Sequence, residues 1–545
     1  MWKLLRKLTS NQNLQTNLTN EVCHQSKRCS SKLSKCVDNS TGLVLGTYIK
    51  GHDDKVVAEL TDTALKYNIV SEGKLVSLLG ISGPSPRKHE FRILNGVEST
   101  YPNVTVVGLG HNCVGYNEEE EIDECKEKIR EAAALGVRVL QDICYSKVIY
   151  LEDFGHAESA AEGAVMGLWK HQEHKSDSTK VDAPRLQLFN SCDLDSWHIG
   201  LIKGEAQNLA RRLCELPANI LVPRRFAEFA VDFMYPMGIN IEIKTTPWLK
   251  DMGMNAFLAV AKGSCHEPIL LEASYIGCDP CTPPIVMIGK GVTFDTGGFC
   301  LKEPRDMWYM RGDMAGAACV IAAMKAAATL QLAVNIRALI PLCENMLGPN
   351  AMKPGDIERA MNGRTIAIDS TDTQAKLIMT DVLSYAAKFK PTFTLDVGTL
   401  SRGVKQGLGS AATGVWTNNE KLWENMRLAG IHTGDRVWRL PLWNHFDKFV
   451  KYSDIADYAN TADCLGSACR SAALLKQFVC GDWIHLDNYG VAREADPSAK
   501  YLRPGMTGRP TRTLIEFLAQ CTIAPNGEVK SPSEEKLKKK AASGK

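Results

Sequence analysis

Short apolar runs separated by polar turns set the rhythm of the first third of the chain. Leu43-Val-Leu-Gly-Thr-Tyr48, Lys74-Leu-Val-Ser-Leu-Leu79 and Val104-Thr-Val-Val-Gly-Leu109 read as strands. Amphipathic stretches lie between them, and residues 122–140 are the clearest, with Ile122, Ile129, Ala132, Ala133 and Leu140 at helical spacing. Strands alternating with helices predict an α/β domain over residues 42–192. It carries no catalytic constellation, so scaffolding or assembly is its expected role. Residues 170–184 are polar and read as a loop. Residues 196–215 read as a helix that stops before Leu216-Pro217, because the residue before a proline is disfavoured in the α conformation. That helix, within 193–216, is the expected connector to a second domain.

Beyond it the alternation resumes over 217–522. Pro284-Ile-Val-Met-Ile288 has the continuous apolar character of a buried strand, and residues 314–330 present the alanine-rich face of a packed helix. Val334-Asn-Ile-Arg-Ala-Leu-Ile340 is a further strand, residues 377–389 a helix, and Thr392-Phe-Thr-Leu-Asp-Val397 a strand. This places Asp295 just past a strand end, and Asp313 and Asp372 just before helices, where open α/β sheets build their sites. The stretch Ser370-Thr-Asp-Thr-Gln-Ala-Lys-Leu377 joins Lys290-Gly-Val-Thr-Phe-Asp295 and Arg311-Gly-Asp313 as parts of one candidate metal site. Carboxylates with a lysine beside glycine-rich turns gather hard ligands around divalent cations. Taken singly, each Asp is equally well a helix cap or a turn former.

Composition narrows the class. The 545 residues are 44% hydrophobic and 23% charged, enough for more than one domain with a sizeable core. A formal net charge of +2 argues against wholesale binding to nucleic acid or anionic membrane. No apolar run reaches the ~18–20 residues that span a bilayer, so a soluble protein is expected. Eighteen cysteines scattered over so long a chain point to free thiols in a reducing compartment, and Cys278-Asp-Pro-Cys281 lacks the second pair of a zinc site. His171 and His174 read as part of a solvated segment.

Residues 1–41 stand apart. Lys3, Arg6, Lys7, Lys27, Arg28, Lys32 and Lys35 face only Glu21 and Asp38 as acids. Met1-Trp-Lys-Leu-Leu-Arg-Lys-Leu8 puts Leu4, Leu5 and Leu8 on one helical face, in the manner of a mitochondrial transit peptide. Import into the mitochondrial matrix is expected, with a basic extension of a cytoplasmic protein as the alternative. Residues 523–545, with Lys536, Lys538, Lys539, Lys540 and Lys545 among Ser, Ala, Gly and Glu, read as a disordered solvated tail.

Longer motifs carry a resemblance. Ile288-Gly-Lys-Gly-Val-Thr-Phe-Asp-Thr-Gly-Gly298, Met310-Arg-Gly-Asp-Met-Ala-Gly-Ala-Ala318 and Pro341-Leu-Cys-Glu-Asn-Met346 resemble signatures of the leucyl aminopeptidase (cytosol aminopeptidase) family. So do Lys353-Pro-Gly-Asp356, Thr433-Gly-Asp-Arg-Val-Trp-Arg-Leu-Pro441 and Gly505-Met-Thr-Gly-Arg-Pro-Thr-Arg512. The likeness runs in order from about Asn208 to Leu518 and is weaker in the N-terminal domain. It implies a small N-terminal α/β domain, a linking helix and a larger C-terminal α/β domain with a mixed central sheet, assembled as a hexamer. It further implies two divalent cations, Zn²⁺ or Mn²⁺, that activate a shared water against the N-terminal peptide bond of a peptide substrate.

Carried onto this chain, the resemblance makes Lys290 a neutral-amine ligand, Asp295 a bridge between the two metals, and Asp313 and Asp372 the completing ligands. Lys302 would stabilise the developing oxyanion, and Met310, Thr399 and Leu400 would line the substrate cleft. Four positions depart from the family pattern. Gln374 stands where a bridging glutamate is expected, and its amide offers one neutral oxygen and an NH₂ that cannot face a cation. Lys376 stands where an arginine holds a planar anion, and an ammonium lacks the bidentate fork, so general-base help of ~10²–10⁴-fold is compromised. Arg402 replaces a glycine near the first specificity pocket, where it fills the pocket, repels the substrate's ammonium group or points outward. Ala375 replaces a glycine between the first two positions, so a local backbone shift is expected.

Two readings follow. One is a catalytically impaired paralogue that survives as a structural assembly with itself or with paralogues, similar to sperm-abundant paralogues of insects. The other is an active aminopeptidase with weakened metal affinity and altered specificity. DNA binding has no basic recognition element to support it.

Overall fold

The structure is a computed structural model that describes residues 41–50, 57–112, 115–451, 453–461, 465–494 and 499–522. The transit-like start and the Lys-rich tail lie outside the described residues. The chain divides into two compact α/β units, one formed by residues up to 114 with 128–201, the other by 115–127 with residues from 202 onward.

The first unit is a six-stranded sheet of β1 (Thr41–Lys50), β2 (Val57–Leu60), β3 (Phe91–Asn95), β4 (Asn103–His111), β5 (Val148–Leu151) and β6 (Arg185–Leu188). Its order is β3-β4-β1-β5-β6, with β2 paired to β1. β1 runs parallel to β4 and β5, and its apolar Leu43, Val44 and Leu45 are fully buried beside Val104 and Val106. Helices α1 (Asp62–Val70) and α2 (Lys74–Ile81) follow β2. The second corrects the sequence expectation, since the run 74–79 is helix and not strand. Leu75 and Leu79 are buried one helical turn apart while Val76 is half-exposed, so the run has a period of four that a window of six apolar residues does not reveal. The amphipathic stretch 122–140 opens as two residues of strand and becomes helix α3 at Glu124–Asp142, and α4 is Ala157–Leu168.

Helix α5 (Leu194–Glu215) ends directly before Leu216-Pro217. The second unit then forms a nine-stranded mixed sheet of β7 (Asn240–Lys244), β8 (Ile269–Ile276), β9 (Ile285–Gly289), β10 (Gly291–Asp295), β11 (Asn335–Asn345), β12 (Thr394–Gly398), β13 (Thr413–Thr417), β14 (Val437–Arg439) and β15 (Trp483–Asp487). Its order is β14-β13-β15-β12-β9-β11-β8-β7, with β10 on the end of β11. β9 lies parallel between β11 and β12, so the later strands of the sheet are laid down on both its sides. A parallel sheet opens a crevice at such a switch point, beyond the carboxyl ends of its strands. Helix α6 (Ala315–Thr329) follows β10, and α7 (Ala375–Ala386) leads into β12. Val286, Ile288, Leu339, Leu377, Ile378 and Val382 are fully buried in one core under that crevice. Among the described residues no helix is long and apolar enough to cross a membrane, and every described cysteine is free, Cys278 and Cys281 included.

Candidate active site

Small residues let the crevice close up. A Cβ on Gly289 would lie 2.6 Å from Ala317 Cα, and one on Gly316 would lie 2.1 Å from the Val397 carbonyl oxygen. The start of α6 therefore abuts the ends of β9 and β12, and the Ala317 N–H donates to the Lys290 carbonyl at 2.9 Å. This contact brings Asp313 against Lys290. Lys290 Nζ donates to both Asp313 oxygens and to the Thr399 carbonyl, all at 2.7 Å, and the three residues are buried. Thr399 also donates its hydroxyl to Asp313 Oδ1 at 2.6 Å.

Asp295 ends β10 opposite Asn345 at the end of β11. After it, Gly297 (φ 88°) and Gly298 (φ 67°) turn the chain back through backbone conformations that side chains with a Cβ rarely adopt. The turn returns Lys302 to the site, with its N–H on the Thr296 carbonyl at 2.9 Å and its Nζ 3.0 Å from Asp295 Oδ2. The same ammonium is hydrogen-bonded to Asp372 Oδ1. Asp372 sits in a short 3₁₀ turn, Thr371–Thr373, capped by the Ser370 hydroxyl. Gln374 follows with its backbone in the helical region and its side chain buried. Its Nε2 donates to Asp295 Oδ2 and to Asp313 Oδ2, each at 3.1 Å, and its Oε1 has no hydrogen-bond partner. Lys376 Nζ donates to the carbonyls of Asn460 at 3.1 Å and Thr461 at 3.0 Å.

The charges are mutually organised. Burial works against the ionised form of Asp295, but Lys302 and Lys290 outweigh it and hold this carboxyl below its ordinary range. Burial leaves Asp313 raised despite Lys290, and likewise Asp372 despite Lys302. Burial disfavours the Lys302 ammonium, yet Asp295 and Asp372 hold it above the ordinary lysine value.

The predicted residues Lys290, Asp295, Lys302, Asp313, Asp372, Gln374 and Thr399 thus meet in one cluster. Met310 is buried one short turn before Asp313, whose N–H donates to the Met310 carbonyl. Leu400 packs against the core and donates its N–H to Asp487 Oδ1 at 3.2 Å. Arg402 opens helix α8 (Arg402–Leu408), its side chain half-exposed and 3.6 Å from Asp306 Oδ2. Ala375 begins α7.

Three residues of the site have no role in the sequence reading. Asn345 donates to Asp295 Oδ1 at 2.8 Å and to the Thr371 carbonyl at 3.1 Å, tying the two Asp-bearing segments together. Thr371 donates its hydroxyl to the Gly297 carbonyl at 2.6 Å and accepts from the Cys300 N–H. Asn460 accepts from the N–H groups of Asp369 and Ser370 and donates to the Ser370 carbonyl. A position at the end of an apolar strand inside a quoted motif was the available signal for Asn345. Asn460 lies in a loop far along the chain, and nothing local marks it.

These donors do not fit a pair of dications. The carboxylate oxygens that face the middle of the cluster are met by N–H groups of Gln374, Lys290 and Lys302. An NH₂ group cannot ligate, and the one Gln374 oxygen is neutral. Among the described residues no group of three or more His, Cys, Asp or Glu is arranged to hold a metal ion.

Residues 208–515 match the cytosol aminopeptidase family, catalytic domain, and residues 44–178 match its N-terminal domain. The chain is 44% identical over 485 residues to the cytosol aminopeptidase of Xenopus tropicalis, covering 88% of this chain and 92% of that one. It is 43% identical over 497 residues to the cytosol aminopeptidase of Homo sapiens, covering 90% and 95%. Among solved structures, the bottromycin maturation enzyme BotP in complex with Mn is similar, with a TM-score of 0.74 at 27% identity over 88% of this chain and 99% of that one.

Proposed function

We propose that this chain, which belongs to the cytosol aminopeptidase family, is a member whose metallopeptidase chemistry is weakened or lost and whose surviving role is structural. The observation that carries the reading is the placement of the Gln374 amide N–H groups against Asp295 and Asp313, where a bridging carboxylate would have to ligate. Lys376 supports it, because its ammonium is held by two backbone carbonyls and has no planar fork for an anion. In place of two divalent cations the chain then holds one or binds them weakly, the carboxylates left for the purpose being Asp295, Asp313 and Asp372, with Lys290 beside them. The role left to the protein is a hexamer of this chain, alone or with paralogues, in the mitochondrial matrix, as in a sperm-abundant paralogue. Import rests on the basic amphipathic opening Met1–Leu8; a fusion of residues 1–45 to a fluorescent protein is expected in mitochondria, and a cytosolic fusion contradicts it.

A second reading, an active dimetal aminopeptidase releasing residues such as leucine from peptides, is favoured by the convergence of Lys290, Asp295, Lys302, Asp313 and Asp372. The experiment that separates the two is hydrolysis of leucine 4-nitroanilide or dipeptides with added Mn²⁺ or Zn²⁺, run beside the double variant Gln374→Glu, Lys376→Arg. Turnover that emerges only in the double variant, by about 10²-fold or more, is the expected outcome.

A further inference from the structure

Asp295 and Asp313 are buried acids from different elements that direct an oxygen at the same nitrogen, Gln374 Nε2, at 3.1 Å each. Each of these two oxygens also meets an ammonium, Asp313 Oδ2 that of Lys290 at 2.7 Å and Asp295 Oδ2 that of Lys302 at 3.0 Å, but neither ammonium is shared between these two oxygens as the amide is. Asp313 Oδ1 accepts from Lys290 and Thr399, and Asp295 Oδ1 accepts from the Gly297 N–H and from Asn345. An amide nitrogen carries two hydrogens, so one N–H serves each carboxylate. The reverse orientation would set Oε1 against two carboxylate oxygens, so the electrostatics fix the amide as it stands. The buried Oε1 makes no hydrogen bond to a protein group, so the amide is tied to the protein through its two donors.

Charge arithmetic points the same way. Asp295, Asp313 and Asp372 against Lys290 and Lys302 leave one net negative charge, three minus two. A glutamate at 374 would leave two, four minus two, beside the buried Asp295 and Asp313.

We propose that Gln374 is a built-in replacement for a bridging cation, so that the folded state of this chain is complete without metal and gains nothing from it. The amide supplies to Asp295 and Asp313 the bridging attraction that a dication supplies to a carboxylate-rich site, and it does so as part of the polypeptide. A carboxylate at 374 converts the same pocket into one whose stability depends on metal. The inference rests on the reading that the peptidase chemistry is impaired, and it adds what the substitution does for the fold.

The test is the melting temperature and the metal content of the purified full chain and of Gln374→Glu, each in EDTA and in Mn²⁺. The wild type is expected to melt at the same temperature in both and to retain no stoichiometric metal. Gln374→Glu is expected to melt about 5 °C or more below the wild type in EDTA and to recover in Mn²⁺. A wild type stabilised by Mn²⁺ as much as the variant, or a variant as stable as the wild type in EDTA, overturns the proposal. Should Gln374→Glu fail to fold, Gln374→Met removes both donors without adding charge. A melting temperature below the wild type in EDTA then supports the proposal, and one equal or higher overturns it. Leucine 4-nitroanilide turnover on the same samples keeps the two ideas apart. Turnover by a wild type whose melting ignores Mn²⁺ overturns the impaired-enzyme reading alone, and Mn²⁺ stabilisation of an inactive wild type overturns the amide proposal alone.

Discussion

On the strand side of the site, Lys290, Asp295 and Asp313 occupy strand ends and the entrance to α6, and each makes at least two short polar contacts with its neighbours. On the helix side, Asp372, Gln374 and Lys376 occupy the start of α7, just as firmly held, by Ser370, Asn345 and the loop at Asn460. The two sides match in backbone order and differ in donor chemistry: the first presents two carboxylates and the Lys290 ammonium, the second one carboxylate, Asp372, with an amide and an ammonium. Position in this fold is set by strand register, glycine contacts and turns, whereas ligand chemistry is set by single side chains. A site frame therefore persists when its donors change.

The sharpest way to break this comparison is at the strand side. Asp313→Ala leaves Lys290 buried with only the Thr399 oxygens and is expected to destabilise the second unit by about 3–5 kcal/mol, read by urea unfolding. A loss below about 1 kcal/mol would mean that the pair is solvated and that the strand side is not firmly held.

Lys302 offers a pH test. Its folded pKa is raised above its unfolded value, so the stability it contributes is fully present below about pH 10.4 and is lost as pH rises through the folded value. Wild type should therefore lose stability above that pH more steeply than Lys302→Met, and parallel alkaline unfolding curves would refute the linkage to Asp295 and Asp372. On the helix side, Lys376→Met withdraws donors from the Asn460 and Thr461 carbonyls and is expected to cost about 1–2 kcal/mol. The smallest effect belongs to Arg402→Ala. A half-exposed side chain 3.6 Å from Asp306 should shift stability by less than about 0.5 kcal/mol.

Much of this is legible in the sequence. The strands at 284–288, 334–340 and 392–397 and the helix at 314–330 announce themselves through continuous apolar or alanine-rich runs, and the structure places them within a few residues of those bounds. The positions of Asp295 and Asp313 followed from those elements, and that of Asp372 from the helix expected at 377–389, which spans Ala375–Ala386. The run at 74–79 misled because a short apolar segment has too few turns to show its period. Asn460 stayed hidden because its contacts with 369 and 370 span some ninety positions, and long-range side-chain ties leave no local pattern. The direction in which the Gln374 amide faces depends on two carboxylates contributed by other elements, so only the folded chain reveals it.

The central claim is that the amide and ammonium of the helix side have cost the chain its peptidase chemistry. Its most direct test is the rate of leucine 4-nitroanilide hydrolysis by the purified protein with Mn²⁺, measured beside Gln374→Glu, Lys376→Arg with metal counted per chain. No wild-type turnover, with activity emerging in the double variant, is the predicted result. Robust wild-type turnover with two metal ions per chain would contradict it.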